Sequence, residues 1–305
     1  MGLRNLKDYV IITLKGMAMG AADVVPGVSG GTIAFISGIY EELITSINNI
    51  NLAAFKTLSK QGFSTFWKQL NGNFLLALFA GIFISVLSLA KFLSWLLENQ
   101  PVLLWSFFFG LVLASIFLVG KEIKKWNLAT IFMLLLGTSI AYFITTLPPN
   151  ENVASLPYLF LSGALAVCAM ILPGISGAFI LVLLGSYKTI LDAVHERDVQ
   201  MVATVAFGAI IGLLSFARLL KWMFKNYRNT TLALLTGFIL GSLSKIWPWK
   251  SILETKVFNK KIIPIREQNI SPLEYEGDPQ LLLAIVLAIL GFSLIFILER
   301  MASKK

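Results

Sequence analysis

The sequence is poor in the residues that build disulfides, metal sites and water-soluble surfaces. Among its 305 residues there is one cysteine, Cys168, and one histidine, His195. A single cysteine excludes a disulfide framework and a single histidine excludes a histidine-built metal site, so we expect no metal and no cofactor. Charged residues make up only 13% of the chain and hydrophobic residues 57%, and the mean hydropathy is +0.80. This composition excludes a water-soluble globule and predicts a polytopic membrane protein.

The net charge of +9 comes from basic residues that lie between the apolar runs. The connections at 98–102 and 148–157 contain no lysine or arginine. Basic residues are concentrated instead in the segments 1–15, 48–73, 120–127 and 221–230 and in the C-terminal tail, while the connection 248–280 balances five basic residues with five acidic ones. Basic loops of this kind face the cytoplasm and its anionic lipids. We therefore predict cytoplasmic N- and C-termini, contacts with membrane lipids, and no nucleic-acid partner.

One motif is written twice, at residues 16–45 and 163–192. Aligned without a gap, the copies match at Gly16/Gly163, Pro26/Pro173, Gly27/Gly174, Ser29/Ser176, Gly30/Gly177, Gly38/Gly185 and Tyr40/Tyr187. In each copy an apolar run is interrupted by Pro-Gly-x-Ser-Gly and then resumes. In a membrane this pattern predicts a helix, a break and a second helix.

Each break has the chemistry of an anion site. Glycine allows a sharp turn, and serine can cap the helix that follows, whose first N–H groups then face the break. Lys91 and Arg218 occupy equivalent positions in later runs, where they either assist an anion from opposite sides or snorkel to the interface. The predicted phosphate-binding residues are Gly27, Ser29, Gly30, Gly31, Thr32, Gly174, Ser176, Gly177, Lys91 and Arg218.

Other polar residues near the breaks have two interpretations each. Asp23 is a carboxylate inside an apolar run, which suggests coupling to protons or pairing with a cation; alternatively it bonds to the N–H groups at the break. Glu41 marks either a charge partner or the interface. Tyr40 and Tyr187 are candidate headgroup contacts or members of an aromatic belt.

The whole chain is predicted to be an all-α duplication within one membrane domain. The first repeat, 1–150, has a broken hairpin at 10–47, and the second, 151–305, has one at 158–192. The predicted spans are 74–97, 103–119 and 128–147, then 202–223, 231–247 and 281–298. Because three crossings separate the hairpins, the repeats should have inverted topology, with a small amphipathic cap outside at 248–280.

A nucleophilic serine is the main enzymatic alternative. Gly27-Val28-Ser29-Gly30-Gly31 satisfies the pattern G-x-S-x-G, which would suggest a membrane-embedded lipid phosphatase or serine hydrolase. A partner base is missing, because His195 lies in a polar connection. We therefore predict a protein that is not an enzyme.

The doubled motif resembles that of the PopT-type family of bacterial membrane proteins, once a family of unknown function and later assigned as polyprenyl-phosphate (undecaprenyl-phosphate) translocases. The resemblance rests on GAADVVPGVSGGT at 20–32 with Gly38, Tyr40 and Glu41, and on PGISG at 173–177 with Gly185, Ser186 and Tyr187. The second copy departs from the first at Met170, in place of Asp23, and at Ala178, in place of Gly31.

The resemblance implies that the protein flips undecaprenyl phosphate across the bacterial cytoplasmic membrane and so recycles the carrier for peptidoglycan and other cell-envelope polymers. A lipid monophosphate requires an anion site for its head and an open apolar flank for its tail. Two alternatives remain. One is a transporter of a small soluble anion, which would need water-filled vestibules, and the other is a non-catalytic scaffold for envelope enzymes.

Overall fold

The computed structural model describes residues 4–25, 28–148, 150, 155–258 and 261–303. Within these residues the first half contains α1 (Leu6–Val24), α2 (Gly30–Ile36), α3 (Tyr40–Asn48), α4 (Leu52–Gln61), α5 (Phe63–Gln69), α6 (Gly72–Asn99), α7 (Pro101–Glu122) and α8 (Leu128–Thr146). The second half contains α9 (Leu156–Ile171), α10 (Gly177–Leu183), α11 (Tyr187–His195), α12 (Val199–Asn226), α13 (Arg228–Ser242), β1 (Lys250–Phe258), β2 (Lys261–Asn269) and α14 (Leu281–Ser303). Short 3-10 turns cover Leu243–Ile246 and Pro272–Glu274.

The protein is a mostly helical, multi-pass membrane protein. Four helices in the described part of the chain, α6, α7, α8 and α12, are long and apolar enough to cross a bilayer, and the bent pair α10–α11 would make a fifth span. α9 and the first part of α14 are shorter apolar helices. All six predicted spans are therefore helical, although α13, at 15 residues, is shorter than its predicted run.

Each hairpin is broken twice, which corrects the prediction of one continuous outgoing arm. Glycines in the left-handed region separate α2 from α3 and α10 from α11: Gly38 has φ +73° and Gly185 has φ +66°. A side chain with a Cβ is disfavoured there, so these positions end the short helices. Between α10 and α11 the chain bends by 105°.

Glycines bring the helices of each hairpin against the long helix that follows. A Cβ at Gly16 would meet the carbonyl oxygen of Leu78, and one at Gly81 would meet that of Thr13. The equivalent contacts in the second copy join Gly163 to Val205 and Gly208 to Phe160. Four residues further along both helices, Gly20 faces Ile82, and Gly212 faces Ala164 in the second copy. The contacts therefore advance together along each pair, and α6 runs parallel to α1 and α12 parallel to α9.

The last helix of each half packs against the middle helix of the other half. Gly110 on α7 and Gly291 on α14 face the carbonyl oxygens of Ala288 and Phe107. The equivalent glycines on α13 and α8, Gly237 and Gly137, face those of Leu134 and Leu234. The two halves are thereby interlocked, and neither can bury its central helix without the other.

The connections differ from the prediction. Instead of an amphipathic cap, 248–280 contains the antiparallel hairpin β1–β2, in which Lys250 pairs with Asn269. Its strands are rich in isoleucine, valine and threonine, which suit a pleated surface. Segment 48–73 forms α4 and α5, which expose Phe55 and Phe63 beside lysines, as a helix at a membrane surface does.

The close approaches at Gly81 and Gly208 yield a stability prediction. Gly81→Ala and Gly208→Ala each push a methyl group into the facing helix backbone and should destabilise the protein by about 1–3 kcal/mol. Gly120→Ala is the matched control, because nothing lies within 4 Å of its Cβ position. Thermal unfolding in detergent should show a lower melting temperature for the first two variants only; equal values for all three would contradict the packing.

Candidate functional site

The two breaks, which we call elbow 1 (residues 25–32) and elbow 2 (172–177), are in direct contact. The Ser29 hydroxyl, 1% exposed, donates to the carbonyl oxygens of Met170 at 3.1 Å and Leu172 at 3.4 Å. In the other direction, the N–H of Gly174 donates to Thr32 Oγ1 at 2.8 Å. Polar groups that each break exposes are therefore satisfied by the opposite half. Pro26 and Gly27, both predicted at this site, lie outside the described residues.

The helix start at elbow 1 is occupied by groups of the protein itself. The N–H of Gly30 donates to Asp23 Oδ1 at 2.7 Å, that of Gly31 to Ser29 Oγ at 3.1 Å and that of Thr32 to the Ser29 carbonyl at 2.9 Å. Asp23 thus accepts a hydrogen bond from an N–H group at the break, which was one of the two interpretations drawn from the sequence. Its negative charge suits a helix N-terminus. These N–H groups, expected to be free for phosphate, are not available in this conformation.

Small residues are required at elbow 1 for a steric reason as well. A Cβ at Gly30 would meet the carboxylate of Asp23, and one at Gly31 would meet the carbonyl oxygens of Met170 and Ile171. The glycine pair therefore allows both the internal carboxylate and the opposite hairpin to reach the backbone.

Elbow 2 also has a serine with extended backbone at the N-cap of a short helix, but it lacks these partners. Ser176 stands at the N-cap of α10 and makes no capping hydrogen bond. In the described chain, no hydrogen bond is found for its hydroxyl or for the N–H groups of Gly177 and Ala178. For the N–H of Gly177, the equivalent of Gly30, the difference follows from Met170, since the apolar side chain at the position of Asp23 cannot accept a hydrogen bond. Within the described chain, elbow 2 therefore has hydrogen-bond donors that a ligand could use.

The predicted cations are placed away from the elbow contacts. Lys91 and Arg218 are exposed, on α6 and α12, and neither has an ion pair with another described residue. On α6, Ser85 packs against Gly20 of the first hairpin, and on α12, Gly212 packs against Ala164 of the second. Lys91 and Arg218 each follow these contact residues by six positions, which is roughly 9 Å along the helix. Their role in binding stays a prediction.

The remaining candidates lie at the ends of the hairpins. Glu41 forms an ion pair with Arg228 at 2.6 Å, and both side chains are about half exposed, so the pair joins the first hairpin to α13 with little net stabilisation. Tyr40 is 2% exposed, and its ring packs edge-on against Phe35 with centroids 4.8 Å apart. Tyr187 is partly buried. In this conformation Tyr40 is enclosed, and both tyrosines stay predictions as headgroup contacts.

The sequence did not reveal a group of charged residues beside elbow 2. Lys245 follows α13 directly, and its Nζ lies over the ring of Phe179, in the first turn of α10, at 5.1 Å from the ring centroid. Lys250 and Glu267 complete the group. No motif signals them, because only the pairing of β1 with β2 brings residues 17 positions apart together.

Comparison with known proteins identifies the family. A family profile described as VCA0040-like, undecaprenyl phosphate translocase-like, matches residues 19–262, which include both elbows. The chain belongs to this family. The resemblance inferred from the doubled motif is thereby confirmed.

Two relatives of this family carry the same name. The chain is 46% identical over 302 residues to the polyprenyl-phosphate transporter of Vibrio cholerae, an alignment that covers 97% of this chain and 98% of the relative. It is 31% identical over 256 residues to the polyprenyl-phosphate transporter of Staphylococcus aureus, covering 77% and 85%. No solved structure matches the chain.

The equivalent serines of the two elbows are expected to differ in their effect on stability. Ser29→Ala removes a helix cap and the hydrogen bond to the opposite hairpin and should cost about 1–3 kcal/mol. Ser176→Ala removes a hydroxyl without a partner in the described structure and should change stability by no more than about 0.5 kcal/mol. Thermal unfolding of the two variants under identical conditions measures the difference; an equal loss in both would show that the elbows are equivalent after all.

Proposed function

We propose that the protein moves polyprenyl phosphate across the bacterial cytoplasmic membrane and returns the undecaprenyl carrier from the outer to the inner leaflet. The observation that carries this proposal is membership of the translocase-like family along most of the chain, with both elbows inside the matched region. The relatives named as polyprenyl-phosphate transporters support the same substrate for this chain.

The proposal includes inverted repeats, with the hairpins entering from opposite faces. α6 is parallel to α1, so the first hairpin returns the chain to the side on which it began. The connections from α6 to α7 and from α7 to α8 are only 100 and 123–127, which favours antiparallel neighbours. Three crossings then separate α1 from α9. The contact between the N-cap of α2 and the C-terminal end of α9, through Ser29 and Met170, fits hairpins that approach from opposite sides.

The hairpins are proposed to enter the membrane without crossing it. α2 and α10 have seven residues each, which gives a length of roughly 10 Å, about a third of the hydrocarbon core. The 105° bend between α10 and α11 supports a re-entrant arrangement over one straight span. Short helices that end near the midplane are the arrangement from which alternating-access sites are built.

The phosphate is proposed to bind first at elbow 2. There the hydroxyl of Ser176 and the N–H groups of Gly177 and Ala178 are free of partners in the described structure, whereas elbow 1 is filled by Asp23. Alternating access then requires elbow 1 to exchange its internal bonds for the phosphate while elbow 2 closes. Lys91 and Arg218 are proposed to admit the headgroup from the two leaflets, and Gly27 and Gly174 to shape the turns.

A transport role is proposed rather than hydrolysis. The Ser29 proton is directed at backbone carbonyl oxygens, and the His195 ring nitrogen Nδ1 lies 2.9 Å from the carbonyl oxygen of Leu191 within its own helix. Neither contact forms the serine–base pair that a nucleophile requires.

The transport assay uses proteoliposomes with labelled polyprenyl phosphate in the outer leaflet. The wild-type protein should move the labelled lipid to the inner leaflet. The fraction of lipid that an added impermeant phosphatase can hydrolyse should therefore fall faster than in liposomes without protein. Ser176→Ala should slow transport at least about tenfold, the effect expected for one lost hydrogen bond to a charged group. Unchanged transport in a variant with Ser29, Ser176 and Arg218 all replaced by alanine would contradict the assigned site.

Asp23 allows its charge to be separated from its hydrogen bond. Asp23→Asn keeps an oxygen acceptor for the N–H of Gly30 and should preserve the melting temperature, whereas Asp23→Ala should lower it. If the charge participates in coupling, Asp23→Asn should transport at least tenfold more slowly than the wild type. Wild-type transport by Asp23→Asn would reduce Asp23 to a capping residue.

A further inference from the structure

A group of three charged side chains lies at the edge of elbow 2. Lys245 is in the 3-10 turn after α13, Lys250 begins β1 and Glu267 lies on β2. The two lysine Nζ atoms approach the same oxygen, Glu267 Oε2, at 3.4 Å and 3.3 Å. We call these residues the lysine–glutamate cluster. They are partly buried, with side-chain exposures of 25%, 10% and 22% in chain order.

The cluster is joined to elbow 2 through two elements. Gly174 of the elbow packs against α13, where its Cβ position faces Phe238 and Ser242. Lys245 follows Ser242 by three residues, and its Nζ lies over Phe179, which is three residues beyond Ser176. The cluster therefore stands where a headgroup bound to the Ser176 hydroxyl would be within reach of a lysine.

The charges of the cluster do not cancel. Two ammonium groups share one carboxylate, which leaves a net charge of +1 in a partly buried place, where an unbalanced charge is costly. Burial lowers the pKa of Lys250, and Lys245 lowers it further, while Glu267 opposes both effects. Burial alone would raise the pKa of Glu267, but the attraction of Lys250 and Lys245 outweighs it and keeps the carboxylate ionised.

The two lysines differ in how firmly they are held. Lys250 donates to the carbonyl oxygen of Lys245 at 2.7 Å and lies 4.8 Å from the ring centroid of Trp105. Among the described residues, the Nζ of Lys245 contacts Glu267 at a long 3.4 Å and the face of Phe179 and has no other hydrogen-bond or ion-pair partner. An ammonium group has three donors. Lys245 therefore has hydrogen-bonding capacity left, while Lys250 is fixed to the backbone.

We propose that the lysine–glutamate cluster receives the phosphate monoester headgroup at elbow 2, with Lys245 as the binding cation and Glu267 as an anion that the phosphate displaces. This inference rests on the proposed function. A phosphate monoester carries a charge of about −1.5 to −2 and three acceptor oxygens, so it balances two lysines better than one carboxylate does. The rings of Phe179 and Trp105 beside the cations suit a ligand with an apolar chain rather than a free ion.

The alternative role, a purely structural ion pair that fastens the β-hairpin to the helices, predicts a different sign for one variant. If Glu267 competes with the phosphate, Glu267→Gln frees both lysines and should strengthen binding. If Glu267 only fastens the β-hairpin, Glu267→Gln should weaken phosphate binding or leave it unchanged.

The test measures the half-saturating amount of polyprenyl phosphate for transport in proteoliposomes. Lys245→Gln should raise this amount about tenfold, and Glu267→Gln should lower it several-fold. Lys121→Gln is the matched control, because Lys121 also lies over a ring, that of Phe296 at 5.3 Å, at the far end of α7. A second readout, the rise in melting temperature on adding farnesyl phosphate, should be smaller in Lys245→Gln and larger in Glu267→Gln.

The outcomes separate this inference from the proposed function. A wild-type protein that neither transports polyprenyl phosphate nor is stabilised by farnesyl phosphate would overturn the function itself. A wild type that does both, with Lys245→Gln indistinguishable from Lys121→Gln or with Glu267→Gln weakening binding, would overturn the cluster alone. Stabilisation by inorganic phosphate equal to that by farnesyl phosphate would overturn its assignment to a lipid headgroup.

Discussion

The structure depends on hydrogen bonds that two chain breaks supply to each other in the buried interior. A broken helix within a bilayer exposes N–H and C=O groups that the hydrocarbon cannot satisfy. Ser29 donates to the carbonyl oxygens that end α9, and Gly174 donates to Thr32. Each break is therefore stable only in the presence of the other. This mutual requirement explains why the duplicated halves form one unit rather than two.

Glycine contacts also make the helices of each half depend on the other half for their packing. In lipid, helices gain little from hydrophobic burial, so close packing of backbones across small residues has to hold them together. Gly110 and Gly237 achieve this between halves, α7 against α14 and α13 against α8. Because the last helix of each half packs against the other half, the helices of both halves form one packed unit.

The two elbows begin a short helix in the same way, with a serine at the N-cap, but the described helix starts are in opposite chemical states. Asp23 fills the helix start of elbow 1, while Met170 leaves that of elbow 2 open. Cations stand beside elbow 2 instead, in Lys245 and Lys250, which come from outside the duplicated motif. The two elbows therefore differ in charge although the motif that forms them is duplicated.

The sequence by itself determined the membrane class, the duplication, the two breaks and the family, because these depend on composition and on local backbone chemistry at Pro, Gly and Ser. It also placed Ser29 and Thr32 at the first break, which the structure brings into contact with the second. It did not predict that Asp23 would fill elbow 1, that each outgoing arm would bend again, or that 248–280 would form strands. Only the tertiary structure decided which donors remain free and brought Lys245, Lys250 and Glu267 together. The reason is physical: hydrogen-bond saturation and ion pairing depend on groups that are distant in the chain, and no local pattern records which of them will meet.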